Sequence, residues 1–391
     1  MSRFRPSPEQ SNPILSRAWF MKSARLGSLF GWTTLALMLP ATVANAQVAG
    51  QYGPRLQEIV QAYHEAGLFQ GAVLVAMDDE IIYRGAVGLA NEEWGIANSP
   101  ETRFTVASLG KAFTGVMLLQ LVEEGLLSLS DPVTKYLTEF PDSAWRQVTV
   151  EHLLHHTAAI PWPQDNWETW EFARRYELAD LVALIQREEL LEEPGGEFRY
   201  CNSCYHLLAA IIERVTGAVF EECLHNRILS PLGLSGTGLA YSEPVIAMRA
   251  SGYERRDDGS LVNAQLQDQS YAIGAGGMYS TVDDLFRWHR ALNSNELIAE
   301  ESRSLIFTRE QNRNGYGWSL GAYGYCGRQG LGTLALGLGG TPGFASGIAR
   351  LLDDNYFIVF AGNVRQVPQI ELMNDLWNTI LGCDVDLPEV G

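Results

Sequence analysis

Hydrophobic residues recur at two different spacings in the region that follows residue 50. Residues 54–67 have apolar side chains at positions i, i+3, i+4 and i+7, which predicts one buried face of a helix. The apolar segments 71–77 and 81–90 flank the acidic residues 78–80, and this pattern predicts a β-hairpin. A second helix is predicted from Ser108 to Glu124, with Gly125 as its stop.

The pattern changes in the middle of the chain and changes again near the C-terminus. Residues 126–266 contain helical pieces separated by loops rich in proline and tryptophan, with few convincing strands. Beyond residue 267 a helix is followed by three strands, which are predicted at 332–340, 346–352 and 356–363. The amphipathic segment 369–382 predicts a last helix that ends at Gly382.

These elements predict a fold of the α/β plus α class. An antiparallel sheet would take strands from both ends of the chain and would be flanked by the N- and C-terminal helices. A mainly helical lobe would be inserted between the two parts of the sheet. We expect the α/β lobe at about 54–125 and 267–391, and the helical lobe at about 126–266.

The first 46 residues have the features of a secretory signal peptide. Lys22 and Arg25 precede the apolar run LGSLFGWTTLALMLP, and the sequence ANA ends at Ala46. Initiation at Met21 is an open alternative, because that start would give a signal of ordinary length. No later apolar run approaches the ~20 residues needed to span a bilayer. We therefore expect an exported protein, periplasmic or secreted, whose mature domain at 47–391 has no membrane span.

The charge of the chain argues against one large class of partner. The 391 residues have a formal net charge of −18, and removal of the first 46, which hold five basic residues and one acidic residue, changes it to −22. Nucleic acid is not expected to bind so acidic a chain. The basic residues are 25 arginines and only three lysines, at Lys22, Lys111 and Lys135. Because arginine does not release its proton in proteins, a lysine here marks a position where a base could be needed.

The cysteines and histidines do not predict a metal centre. Five cysteines are too few for a disulfide scaffold, and CNSC at 201–204 lacks the flanks of a thioredoxin-like site, so buried or paired cysteines are expected. The segment EHLLHH contains His152, His155 and His156 but no carboxylate-rich partner motif, so structural roles are expected for them. We expect neither a metal nor a cofactor, and the oligomeric state stays open.

Ser108 and Lys111 form the motif S-x-x-K. At positions i and i+3 of a helix the two side chains share a face, so the amine can contact the hydroxyl. A serine at a helix N-terminus also lies beside free backbone N–H groups and the positive end of the helix dipole, which can stabilise an oxyanion. The plain alternative is that Ser108 caps the helix and Lys111 is solvated.

Two further segments offer polar groups or an open backbone. Tyr200 and Asn202 follow a Pro-Gly-Gly turn on a short extended stretch, where side chains two apart point the same way. The structural alternative places Tyr200 in the core and uses Asn202 as a helix cap. The segment LGLGGTPGFASG, residues 336–347, is a glycine-rich strand edge that a substrate backbone could approach closely, or simply a tight hairpin.

In this order, the three motifs resemble those of the class C β-lactamase-like serine hydrolases, a group with class C β-lactamases, D-alanyl-D-alanine carboxypeptidases, D-amino-acid peptidases and family VIII carboxylesterases. The resemblance covers roughly residues 54–382. FTVASLGKAFTG is similar to the nucleophile motif, YCN to the Tyr-x-Asn motif, and GGTPGF to the turn after the third motif. LLHHTAAIP and GAGGMYSTVDDL are similar to connecting segments.

The resemblance implies a role for each matching residue. Catalytic roles fall to Ser108, Lys111 and Tyr200, and substrate-binding roles to Asn202, Gly339 and Gly340. Ser108 would attack an acyl carbonyl, Lys111 and Tyr200 would share the proton transfers, and Asn202 would bind an acyl-side amide or carbonyl. The oxyanion hole would consist of the backbone N–H groups of Ser108 and Gly340. Whether Lys111 or Tyr200 is the base in acylation stays open.

One position departs from the family pattern. The third motif usually begins with His or Lys, whereas here it is Gly337-Leu338-Gly339. Because the usual side chain helps to hold a substrate carboxylate, we expect simple ester hydrolysis, with Arg328 or Arg350 as conceivable substitutes for the missing cation. A β-lactamase, D-alanyl-D-alanine carboxypeptidase or D-aminopeptidase on small amides is the alternative. A non-catalytic peptidoglycan- or ligand-binding protein is the alternative of another class.

Overall fold

The computed structural model describes residues 46–141, 144–161, 172–307 and 314–388, so the predicted signal peptide lies outside it except for Ala46. No helix within these ranges is long and apolar enough to cross a membrane. The helices are α1 (Gly53–Glu65), α2 (Gly110–Glu123), α3 (Val150–Leu154), α4 (Leu178–Ile185), α5 (Asn202–Thr216), α6 (Phe220–Leu224), α7 (Ser230–Leu232), α8 (Val282–Leu292), α9 (Glu300–Phe307) and α10 (Gln369–Ile380).

The strands are β1 (Gln47–Val48), β2 (Gly71–Met77), β3 (Glu80–Val87), β4 (Leu89–Asn91), β5 (Ile96–Ala97), β6 (Phe104–Thr105), β7 (Gly238–Leu239), β8 (Tyr253–Arg255), β9 (Leu261–Asn263), β10 (Met278–Ser280), β11 (Asn314–Gly315), β12 (Trp318–Tyr325), β13 (Arg328–Thr341), β14 (Phe344–Leu351) and β15 (Tyr356–Gly362). Single 3₁₀ turns lie at Ala107–Leu109, Val133–Lys135, Ala144–Gln147 and Gln269–Ala272.

The main sheet combines strands from both ends of the chain. Its eight strands lie in the order β1-β3-β2-β15-β14-β13-β12-β11, and every neighbouring pair is antiparallel. The N-terminal hairpin joins the C-terminal strands where β2 pairs with β15, from Gly71 opposite Gly362 to Met77 opposite Tyr356. The predicted fold class is therefore confirmed in its central feature.

Both faces of this sheet are covered, which explains why β2 is apolar at successive positions. Val73 and Val75 pack in one core with α1 and α10, whereas Leu74 and Ala76 pack in the other core with α2 and the helical lobe. Strand residues alternate between the two faces, so a strand covered on both sides needs an apolar residue at every position.

Three local expectations need correction. The helix predicted from Ser108 begins at Gly110, because Ala107–Leu109 forms a separate 3₁₀ turn. This helix, α2, is buried almost all round, a feature that was not predicted, since it packs in one core with residues of the sheet and contacts helix α5. β12 was not predicted, because its sequence WSLGAYGY contains glycines and lacks a long apolar run.

The region between the two sheet segments is mainly helical, as predicted. It contains α3 to α7 and only the short strands β7, β8 and β9 among its described residues. β7 pairs with β10, which also pairs with β6, so a small three-stranded sheet links this region to the start of the S-x-x-K segment. The exact lobe boundaries stay predictions.

Candidate active site

Ser108 lies in the middle of the 3₁₀ turn that precedes α2. The residue before it, Ala107, has a left-handed φ of 46°, a conformation that costs a non-glycine residue about 1–3 kcal/mol. Gly276 packs directly behind this turn, and a Cβ atom there would lie 3.0 Å from the Ala107 carbonyl oxygen. The turn is also tied to the sheet, because Ser346 Oγ donates to the Val106 carbonyl at 2.8 Å. Packing from two distant segments thus holds the serine in a strained turn.

Lys111 contacts three uncharged oxygen atoms. Its Nζ atom lies 3.2 Å from Ser108 Oγ, 2.7 Å from Asn202 Oδ1 and 2.5 Å from the Ala275 carbonyl oxygen. The Tyr200 ring centroid lies 4.8 Å from the same atom. The serine contact confirms the geometry expected of S-x-x-K, whereas the Ala275 carbonyl was not foreseen, because a backbone acceptor leaves no signal in the sequence.

Burial distinguishes Lys111 from Lys135, the other lysine within the described residues. Lys111 is 2% exposed, and its full desolvation lowers its pKa well below the ordinary value. Lys135 has a side chain that is 52% exposed and pairs with Asp131 at 2.8 Å. None of the ion pairs found in the described ranges includes Lys111. A lysine without a counter-ion in such a place favours the neutral amine, which can accept a proton.

Tyr200 completes a chain of hydrogen bonds through the serine. Its hydroxyl donates to Ser108 Oγ at 2.8 Å. Although the residue as a whole is 55% exposed, desolvation of the hydroxyl raises the pKa of Tyr200, and the bond to Ser108 opposes that shift. The phenol is therefore protonated at neutral pH and can act as a donor.

His156 holds this tyrosine from one side. The two rings stack with centroids 4.9 Å apart and an interplanar angle of 21°. His156 Nδ1 accepts the backbone N–H of Cys201 at 3.0 Å, which places the ring proton on Nε2. Burial lowers the pKa of His156 to about 3, so the ring is neutral. The sequence prediction of a structural role missed this contact with Tyr200, because the two residues are 44 positions apart.

Asn202 is the first residue of α5 rather than part of an extended stretch, and Cys201 is the N-cap. Cys201 Sγ accepts from the Cys204 N–H, and a disulfide joins Cys201 to Cys204 across the first helical turn. Because Lys111 engages Asn202 Oδ1, the Nδ2 group of Asn202 is the donor that can serve a substrate carbonyl.

The glycine-rich end of β13 forms the edge beside the serine. β12 pairs with β13 only as far as Ser319 opposite Leu336, whereas β14 continues to pair as far as Thr341 opposite Phe344. The intervening residues 337–341 thus have an open edge on the β12 side. Gly339 is sterically required, because a Cβ atom there would lie 2.3 Å from both Val106 O and Ser346 Oγ. The oxyanion role of the Gly340 N–H stays a prediction.

A cavity of about 190 Å³ opens between Ser108 and this edge. It is lined by Ser108, Lys111, His156, Phe198, Tyr200, Asn314, Gly317, Trp318, Ser319, Leu336, Gly337 and Leu338. Gly337 therefore faces the space that a third-motif His or Lys would enter, and a Cβ atom there would lie 3.0 Å from Leu109 Cδ2. Gly339 and Gly340 lie farther along the strand and do not line the cavity.

Of the two arginines considered as substitutes, Arg350 does not supply a cation to this cavity. Arg350 is 1% exposed, lies over the rings of Phe307 and Trp318, and donates to Asn293 Oδ1. The side chain of Arg328 lies outside the described part of the structure. Lys111, which favours the neutral form, is the only lysine or arginine among the described residues that line the cavity.

Comparisons with known proteins identify the family of this chain. The family model described as Beta-lactamase matches residues 56–376. The chain belongs to the beta-lactamase family. Penicillin-binding protein 4* of Bacillus subtilis is 27% identical over 359 residues, which cover 85% of this chain and 77% of that protein. Teichoic acid D-alanine hydrolase of Staphylococcus aureus is 26% identical over 340 residues, which cover 86% of this chain and 80% of the relative.

Solved structures of other proteins have the same fold. A penicillin binding protein from Bacillus halodurans matches with a TM-score of 0.69 and 25% identity, over 83% of this chain and 97% of the other. The D-amino acid amidase from Ochrobactrum anthropi SV3 matches with a TM-score of 0.75 and 22% identity, over 85% and 99% of the two chains. This beta-lactamase family member is accordingly an enzyme of the serine hydrolase class.

Proposed function

We propose that this protein is an exported carboxylesterase that hydrolyses small esters, and more slowly amides, through an acyl-enzyme on Ser108. The observation that carries the proposal is the continuous chain from Tyr200 OH through Ser108 Oγ to Lys111 Nζ, with contacts of 2.8 Å and 3.2 Å. Such a chain can activate a hydroxyl nucleophile without a metal or cofactor.

The hydrogen bonds around Lys111 support a first proton transfer from Ser108 to Lys111. A neutral amine has two N–H donors and one lone pair. If Asn202 Oδ1 and the Ala275 carbonyl take the two donors, the lone pair of Lys111 faces Ser108. Because Tyr200 donates to the same serine oxygen, the serine proton is free to point at Lys111. Lys111 is thus the proposed base for acylation.

The acylation step then balances in protons and electrons. The Ser108 oxygen forms a bond to the acyl carbon, its proton moves to Lys111, and the carbonyl electron pair becomes an oxyanion held by backbone N–H groups. When the oxyanion collapses, the bond to the leaving oxygen or nitrogen breaks, and the leaving group takes the Tyr200 proton. The Lys111 ammonium returns a proton to the tyrosinate. Water then attacks the acyl-enzyme with the same groups in reversed roles.

The preference for neutral esters rests on the cavity at Gly337. Its lining includes the apolar side chains Phe198, Trp318, Leu336 and Leu338. An unpaired carboxylate transferred into such surroundings would lose several kcal/mol of hydration free energy, on the order of what a buried ion costs in proteins. Neutral groups enter without that cost.

Hydrolysis of a β-lactam, a D-alanyl-D-alanine peptide or a D-amino-acid amide is the second candidate. It is supported by the similarity to penicillin-binding protein 4* along most of both chains. The same Ser108 acyl-enzyme would form, so only the relative rates on esters and amides distinguish the two candidates. A non-catalytic receptor is disfavoured, because Ser108 Oγ lies within hydrogen-bond distance of both Lys111 Nζ and the Tyr200 hydroxyl.

Export is supported by the N-terminal sequence and by the cysteines. Cys201 pairs with Cys204, and Cys326 pairs with Cys383 across 57 residues. Structural disulfides persist mainly in oxidising compartments such as the periplasm. N-terminal sequencing of the mature protein from the periplasmic or culture fraction tests this part of the proposal, which requires processing after Ala46.

The hydrolase proposal is tested with a fluorophosphonate probe and a panel of p-nitrophenyl esters and β-lactams. We expect the purified mature protein to be labelled on Ser108 and to turn over p-nitrophenyl butyrate, and the Ser108→Ala variant to do neither. Labelling that persists in Ser108→Ala, or no labelling of the wild type, contradicts the assignment. Faster turnover of a β-lactam than of any ester favours the second candidate.

A further inference from the structure

An arginine lies against the glycine-rich end of β13, at Gly340, three residues beyond Gly337. A Cβ atom built on Gly340 would lie 2.9 Å from Cζ and Nη2 of Arg365, and 3.2 Å from Nη1. The guanidinium group therefore rests on the bare backbone of Gly340, in space that any side chain there would occupy. This is the strand residue expected to offer its N–H group to the oxyanion.

The backbone around Arg365 is fixed to the rest of the domain. Its N–H donates to the Tyr253 carbonyl at 3.1 Å, and the neighbouring Val364 is buried and forms a bridge with Tyr253. On the other side, Gln369 Nε2 donates to the carbonyls of Gly339 and Ser346 at 2.8 Å each. Arg365 is thus presented from a short, anchored segment between β15 and α10.

The cationic group itself is available to a ligand. Arg365 is exposed, and no ion pair of its side chain occurs among the residues that the structure describes. A guanidinium fork binds a carboxylate through two parallel N–H donors, so an unpaired one against the backbone of Gly340, the residue expected in the oxyanion hole, suits an anionic ligand.

This position differs from that of the missing third-motif cation. Gly337 and Gly340 are separated by roughly 10 Å along an extended strand, and residues three apart face opposite sides of the sheet. A Cβ atom on Gly337 would meet Leu109 on the side of the cavity, whereas one on Gly340 would meet Arg365. The two sites would therefore select carboxylates at different places on a substrate.

We propose that Arg365 is a carboxylate-binding residue for substrates whose anionic group lies beyond the ester bond, along β13 and away from the cavity. The inference rests on the proposed function, because the anion is placed relative to an acyl group on Ser108. It narrows the substrate class to esters with a neutral group in the Gly337 cavity and a carboxylate at the opposite end.

Matched ester pairs test this inference on the mature protein. One pair is p-nitrophenyl pentanoate and mono-p-nitrophenyl glutarate, which differ by a carboxylate on the acyl side. The other is phenyl butyrate and 4-carboxyphenyl butyrate, which differ by a carboxylate on the leaving group. For at least one pair we expect Arg365→Gln to lower the anionic-to-neutral ratio of kcat/KM by about tenfold. Arg365→Lys should retain part of the ratio, since it keeps the charge without the fork.

Arg187→Gln is the control, because Arg187 is an exposed residue just after α4 and its loss changes the net charge equally. It should leave both ratios unchanged. Equal ratios in wild type and Arg365→Gln overturn the inference and leave the esterase intact. Protection of Ser108 from the fluorophosphonate by glutarate, weakened about tenfold in Arg365→Gln, provides a readout without turnover. Failure of the wild type to react with the probe overturns the proposed function itself, and the inference with it.

Discussion

Replacement of Lys111 by arginine separates proton transfer from charge. Arginine keeps the cation and several donors, and so could still contact Asn202 Oδ1 and the Ala275 carbonyl. It cannot present the lone pair that the proposed mechanism requires of Lys111, because an arginine does not release its proton in proteins. The phenol of Tyr200 cannot take over, because its raised pKa keeps it protonated.

We expect kcat of Lys111→Arg to fall by about 10³ or more. A positioned base contributes about 10²–10⁴ in rate, and 10³ corresponds to about 4 kcal/mol in the barrier. Lys111 is 2% exposed, so the larger arginine side chain would have to displace its neighbours, among them Ser108. This displacement adds to the loss of kcat. The matched control is Lys135→Arg, whose lysine is exposed and pairs with Asp131, and which should retain wild-type kcat.

The assay is steady-state hydrolysis of p-nitrophenyl butyrate, with thermal midpoints measured on the same preparations. Retention of more than about a tenth of wild-type kcat in Lys111→Arg would refute the proton-transfer role. Lys111→Met adds a second readout. Because burial lowers the pKa of Lys111, the folded chain binds this proton more weakly than the unfolded chain. The free energy of unfolding therefore falls as the pH drops below the ordinary lysine pKa of 10.5. Lys111→Met should therefore be inactive yet more stable than wild type at pH 7, and a lower midpoint would contradict the burial argument.

Three further predictions concern the groups around this lysine. Tyr200→Phe should retain the thermal midpoint but lose most of kcat, since it removes only the hydroxyl that donates to Ser108; wild-type turnover would make Tyr200 a packing residue. Wild-type protein should show a higher kcat/KM for p-nitrophenyl butyrate than for a carboxylate-bearing cephalosporin, and Gly337→His should shift that ratio toward the cephalosporin. Gly337→Asn is the control for a side chain that fills the same space without a positive charge. An equal shift of the kcat/KM ratio in both variants would show that the charge of the histidine is not the cause. The pKa of His156 is lowered to about 3, so between pH 6.5 and pH 5 only the unfolded chain takes up a proton on this residue. The free energy of unfolding should therefore fall by about 2 kcal/mol over that interval because of His156. Urea unfolding at both pH values should show a smaller fall in the free energy of unfolding for His156→Gln than for wild type. An equal fall in the two proteins would contradict the burial of a neutral ring.

Much of the fold could be predicted from local patterns of apolar residues. The i, i+3, i+4 spacing of α1 and the apolar runs of β2, β14 and β15 depend on neighbours only a few residues away, and the structure confirms all four. The fold class and the serine hydrolase class also followed from the sequence, through three motifs whose order resembles one family. S-x-x-K is itself local, since three residues along the chain suffice to place Lys111 beside Ser108.

The chemical state of the site was decided by tertiary packing. The carbonyl of Ala275, which takes one Lys111 donor, is 164 positions away from it in the chain. The stacking of His156 on Tyr200 and the contact of Arg365 with Gly340 likewise join segments that the sequence does not relate. Burial depends on all of these segments together, and burial lowers the pKa of the Lys111 amine. A motif can therefore identify which lysine matters, while its protonation depends on every segment that excludes water from it.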